Sequence, residues 1–109
     1  MTQKTFEDVQ KYVERISSRK GWKLNSDIKT LNDLIEGLLV NFNRLGYYNC
    51  PCRDSQEDKH LDRDIICPCR YAEPDIDEYG YCYCSLYTKV GFDQDQPVKM
   101  IPERRPPIE

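Results

Sequence analysis

Six cysteines stand in three Cys-x-Cys pairs, Cys50-Pro51-Cys52, Cys67-Pro68-Cys69 and Cys82-Tyr83-Cys84. In an extended stretch, residues i and i+2 point to the same side, about 7 Å apart along the backbone. Two thiols so placed can face one inorganic centre, and they are badly placed to bond each other without strain. Pro51 and Pro68 fix φ and exclude helix within their own pairs. The segment from Tyr47 to Leu86 holds every cysteine and most of the tyrosine.

The spacing discriminates among centres. Structural zinc sites draw on Cys-x-x-Cys knuckles, and thioredoxin-type redox sites use the same motif; neither is present. The single histidine, His60, sits in a polar run and reads as a solvated side chain. A cubane [4Fe–4S] cluster takes four thiolates. Two cysteines then remain, and a pair beside a cluster can form a disulfide that the cluster reduces. Zinc held by four cysteines explains the count equally well but leaves the spare pair without a role. Spacing alone leaves both centres open.

With 109 residues the chain has the length of one domain, and 39% hydrophobic against 32% charged residues leaves a modest core. Domains of this size are often helped by a metal or a covalent staple. A formal net charge of −3 argues against nucleic acid as a partner. Stretches such as Leu38-Leu39-Val40 are far too short to span a membrane. The beginning MTQKTFEDVQ shows no apolar core of a signal peptide, so the expected location is the reducing cytoplasm. Structural disulfides are rare there, and six cysteines point to metal or redox chemistry.

Periodicity predicts two helices before the cysteine segment. Phe6, Val9, Tyr12, Val13 and Ile16 recur at helical spacing from Thr5, a plausible N-cap, to Gly21, a stop. Ile28, Leu31, Leu34, Ile35, Leu38, Phe42 and Leu45 make a second stripe over 27–45, capped by Asn25 or Ser26 and ended by Gly46. Both stripes read as core packing. Residues 55–64 fit a short charged helix; Glu73-Pro74-Asp75 and Tyr79-Gly80 signal turns. Residues 1–90 read as the domain, and 91–109, with Pro97, Pro102, Pro106 and Pro107, as an extended tail. The expected fold class is mainly α: a small single domain whose helices and loops wrap a [4Fe–4S] cluster.

The run CPCR at Cys50 to Arg53, the second CPC at Cys67 to Cys69, and CYC at Cys82 to Cys84 followed by Ser85-Leu86-Tyr87 strongly resemble the catalytic beta chain of ferredoxin–thioredoxin reductase. That family carries CPC, CPC and CHC in this order after two helices, and the resemblance covers roughly residues 5 to 88. Tyr83 replaces the family histidine, and the loop from Arg70 to Tyr81 looks longer, which marks a divergent branch. Histidine titrates near neutrality, whereas a phenol stays a hydrogen-bond donor there.

The resemblance implies that Cys50, Cys67, Cys69 and Cys82 ligate a [4Fe–4S] cluster and that Cys52 and Cys84 form the redox-active disulfide. Cys52 would be the exposed nucleophile, Cys84 the inner partner, and Tyr83 a candidate hydrogen-bond donor to their sulfurs. It further implies an oxidoreductase with ferredoxin as electron donor. Single electrons would pass through the cluster to the disulfide, which reduces thioredoxin or a thioredoxin/glutaredoxin-like protein by dithiol–disulfide exchange. It leaves room for a second, non-catalytic subunit. Two other functions stay open: a zinc-binding interaction module, and a plain iron–sulfur electron carrier with the spare cysteines idle. Arg53 and Arg70 follow their pairs directly, where they can offset negative charge or simply be solvated. Two basic clusters, Lys11/Arg15/Lys20/Lys23 and Arg104/Arg105, are candidate docking faces.

Overall fold

A computed structural model describes residues 3–92 and 100–106. Among them run three helices and a two-stranded sheet: α1 (Phe6–Lys20), β1 (Trp22–Leu24), α2 (Ile28–Leu45), α3 (Ala72–Tyr79) and β2 (Tyr87–Lys89).

Helix α1 begins in a capping box. The Asp8 amide donates to the Thr5 hydroxyl, and the Thr5 amide donates to the Asp8 carboxylate, so two orphan N–H groups are satisfied. Its apolar stripe buries Val9, Val13 and Ile16. Helix α2 is capped by Asp27, whose Oδ1 accepts from the Lys29 and Thr30 amides, instead of by Asn25 or Ser26. Asn25 is engaged elsewhere: it holds the third cysteine turn, donating from Nδ2 to the Ser85 carbonyl at 2.9 Å. Ile35 and Leu38 carry the buried centre of α2, while Ile28, at its first turn, stays 64% exposed and leaves the stripe. Strands β1 and β2 pair antiparallel in the register Trp22↔Lys89, Lys23↔Thr88, Leu24↔Tyr87. Together, Val9, Val13, Ile16, Ile35, Leu38, Ala72, Ile76, Leu86 and Tyr87 form one core, which Cys67 and Cys82 join directly.

Two expectations for the cysteine segment fail. Residues 55–64 form turns instead of a charged helix. The buried Asp62 carboxylate organises them by accepting from Tyr47 Oη (2.6 Å), Ser55 Oγ (2.5 Å) and the Gln56 amide (3.0 Å). Such side-chain bonds offer the backbone an alternative to helix. Conversely, Glu73-Pro74-Asp75 lies in α3, where Pro74 occupies the first turn and its missing N–H costs no helical bond. Gly80 closes α3 at φ 90°.

The C-terminal residues 100–106 have no regular structure, yet they return to the body of the protein. Ile101 is buried, Arg104 pairs with Asp75 and Glu78, and Arg105 pairs with Asp64 at 3.0 Å. Pro102 and Pro106 belong to this segment; Pro97 and Pro107 lie outside the described residues.

Candidate redox site

Backbone pairing brings the first two cysteine pairs together. The Cys50 amide donates to the Ile65 carbonyl (2.9 Å) and the Cys67 amide to the Tyr48 carbonyl (2.7 Å), across an antiparallel bridge between Asn49 and Ile66. Asn49, buried, then clamps the Cys50–Arg53 turn from within by donating to the carbonyls of Cys50 and Arg53, each at 3.2 Å. The second pair is tied to α1: Tyr12 Oη donates to the Cys67 carbonyl at 2.5 Å, and the Tyr12 ring stacks on Tyr48 at 4.2 Å. A cis peptide bond joins Cys67 to Pro68. The third pair turns back at Ser85 (φ 65°), and the Cys82 amide donates to the Tyr87 carbonyl at 3.0 Å.

All six thiols are free. Cys84 Sγ lies 3.8 Å from Cys82 Sγ, and the thiols of Cys50 and Cys52 are near enough to shift its pKa. The neighbouring thiols of Cys50, Cys52 and Cys82, together with burial, push the Cys84 pKa well above the usual thiol value. Cys84 in turn brings Cys50 down to about 7 and lowers Cys52 and Cys82. Cys52 is exposed and Cys84 half-buried, and the exposed thiol is also one whose thiolate is favoured. Cys67 is buried and Cys69 half-buried. Burial raises both, Cys69 to about 11.

Three groups point hydrogen-bond donors at this sulfur. Tyr87 Oη lies 3.4 Å from Cys67 Sγ, the Tyr87 amide donates to Cys82 Sγ at 3.4 Å, and Arg53 Nη1 donates to Cys69 Sγ at 3.3 Å. Arg53 is the residue whose weight the sequence left undecided. Its side chain is only 2% exposed; it forks onto Glu103 at 2.8–3.2 Å, and its guanidinium carbon lies 4.3 Å from the Tyr83 ring centroid. Arg70, the other arginine following a pair, is exposed. The Tyr83 side chain thus meets a cation, and its ring is half-buried beside the cysteines.

His60 is exposed, away from the thiols in the 55–64 loop. Among the described residues no three His, Cys, Asp or Glu groups already close on a single point as a one-ion site. The donor set nevertheless fits an iron–sulfur centre in kind: six free thiols, three of them buried, with N–H and O–H groups directed at three of the sulfurs.

Of the two basic clusters, Arg104 and Arg105 are occupied by Asp75, Glu78 and Asp64. Arg15, Arg19 and Lys20 line a groove of about 220 Å³ on α1, beside Pro68 of the second pair. No described helix is long and apolar enough to cross a membrane.

The sequence signature of the family described as ferredoxin thioredoxin reductase catalytic beta chain matches residues 1–102. Comparison with curated proteins finds no similar sequence.

Proposed function

The chain belongs to the ferredoxin thioredoxin reductase catalytic beta chain family, and on that premise we propose that it is a ferredoxin-dependent disulfide reductase. Cys50, Cys67, Cys69 and Cys82 hold a [4Fe–4S] cluster, and Cys52 and Cys84 form the working disulfide. The observation that carries this reading is an exposed Cys52 and an inner Cys84 that shift one another's pKa, with the Cys84 sulfur 3.8 Å from that of Cys82. A couple of this kind can meet a protein substrate outside and a metal centre inside.

When bound, the cluster supplies electrons one at a time, whereas a disulfide takes two. The chemistry of the chain's own groups balances as dithiol–disulfide exchange. The Cys52 thiolate attacks one sulfur of the acceptor disulfide; a Cys52–acceptor disulfide forms and the other acceptor sulfur leaves as a thiolate. Cys84 gives up its proton and attacks Cys52, forming the Cys52–Cys84 disulfide and releasing the acceptor as a dithiol. Two electrons and two protons return the couple to its starting state. Among the free thiols Cys84 lowers the Cys52 pKa, which favours the attacking thiolate. Thioredoxin or a related small redox protein is the acceptor.

Mutation separates the two sets of cysteines. Cys67→Ser or Cys69→Ser should lose or badly damage iron binding. Cys52→Ser should keep iron and lose turnover. Iron content and the rate of acceptor reduction are measured on the same samples; a Cys52→Ser chain that reduces its acceptor normally overturns the assignment of the nucleophile.

A further inference from the structure

Arg53 carries a charge into a place almost closed to water, and such a charge needs a partner. The partner comes from 50 positions away: Glu103 accepts from Arg53 Nε at 3.0 and 3.2 Å and from Nη2 at 2.8 Å. This fork leaves Nη1 as the end directed at Cys69 Sγ. The guanidinium faces are covered by Tyr83 at 4.3 Å and Tyr71 at 5.3 Å. Glu103, holding both Nε and Nη2, fixes the orientation of the cation.

Glu103 is not needed merely to pin the C-terminal segment. Ile101 is buried on one side of it, and Arg104 and Arg105 are paired with Asp75, Glu78 and Asp64 on the other. We propose that Glu103 is a positioning residue of the redox site, holding the Arg53 guanidinium with Nη1 on the Cys69 sulfur. The C-terminal segment is then part of that site. The inference rests on the reading of Cys69 as a cluster ligand. A hydrogen bond from a cation to a ligating sulfur stabilises the more negative, reduced state and raises the midpoint potential; loss of the bond lowers it.

The test uses Glu103→Asp, which keeps the charge but shortens the reach, in the full iron-loaded chain. Glu103→Asp should shift the midpoint potential of the cluster downward, in the same direction as Arg53→Gln, and should add no further shift in the Arg53→Gln background. Arg105→Gln, which loosens the same segment at Asp64, should leave the potential unchanged. In parallel, the Arg53 Nε–H is followed by proton exchange in NMR spectra, which requires no iron. Its protection should fall in Glu103→Asp and persist in Arg105→Gln. Unchanged protection in Glu103→Asp overturns the positioning role, and lost protection with an unchanged potential overturns its effect on the sulfur. An equal shift in Arg105→Gln shows Glu103 to be only a latch. If the purified chain takes up no iron, the cluster reading and the effect on the potential both fail, and the exchange measurement alone decides whether Glu103 orients Arg53.

Discussion

Gly37 lies directly against Pro51: a Cβ at Gly37 would fall 2.9 Å from the Pro51 Cβ. Helix α2 therefore supports the first cysteine pair by close backbone approach, and the proline ring that stiffens the pair has little room to yield. Gly37→Ala gains about 1 kcal/mol of helix propensity in an interior position. Against this stands an overpacking cost of about 1–3 kcal/mol. The expected result is a chain less stable by at most about 2 kcal/mol whose Cys50–Cys52 turn is displaced, with reduced iron content. Thermal unfolding and iron analysis on one sample check it; full iron content in Gly37→Ala means the pair does not depend on this contact.

The Tyr83 ring rests on the guanidinium of Arg53, which stays charged at any pH where the protein is folded. A permanent cation at this place needs no titrating neighbour. Tyr83→Phe keeps a ring over the cation and should stay measurably active, with a pH–rate profile between pH 6 and 8 like that of the parent. Tyr83→His should introduce a new ionisation in that window. A Tyr83→Phe chain with its cluster intact and no turnover shows the phenol to be essential and contradicts this account.

Burial works against the Asp62 charge, but bonds from the Gln56 amide, Ser55 and Tyr47 overcome it and hold the pKa below the usual carboxylate range. Because the folded pKa lies below the unfolded value of about 3.9, the unfolded chain binds more protons between the two. The stabilisation is fully present above the unfolded pKa and is lost as pH falls through the folded one. Asp62→Asn should cost roughly 1–3 kcal/mol at neutral pH. The gap from the parent should narrow below about pH 4, measured by denaturant unfolding along a pH series. A gap constant across that series rules out the carboxylate as the cause.

The two long helices were legible because their apolar stripes repeat over several turns and are bracketed by Thr5, Gly21 and Gly46. Their fine structure was less so: three polar residues in a row precede α2, and only the fold shows Asp27 as the cap and Asn25 as the holder of the Ser85 turn. Local chemistry misled at α3, because Glu73-Pro74 suits a turn and the first turn of a helix equally. The cysteine pairs marked the candidate site, since their spacing is itself a chemical pattern. Arg53 did not declare itself, because its importance comes from burial and from Glu103, a partner distant in sequence.

The central claim is that six thiols divide into four ligands and one couple. The direct measurement is metal and labile sulfide analysis of anaerobically purified protein, followed by oxidation with the cluster intact and mass spectrometry of its disulfide-linked peptides. The account predicts about four iron and four sulfide per chain, negligible zinc, and a single link between Cys52 and Cys84. Zinc in place of iron, or a link joining any other two of the six cysteines, would contradict it.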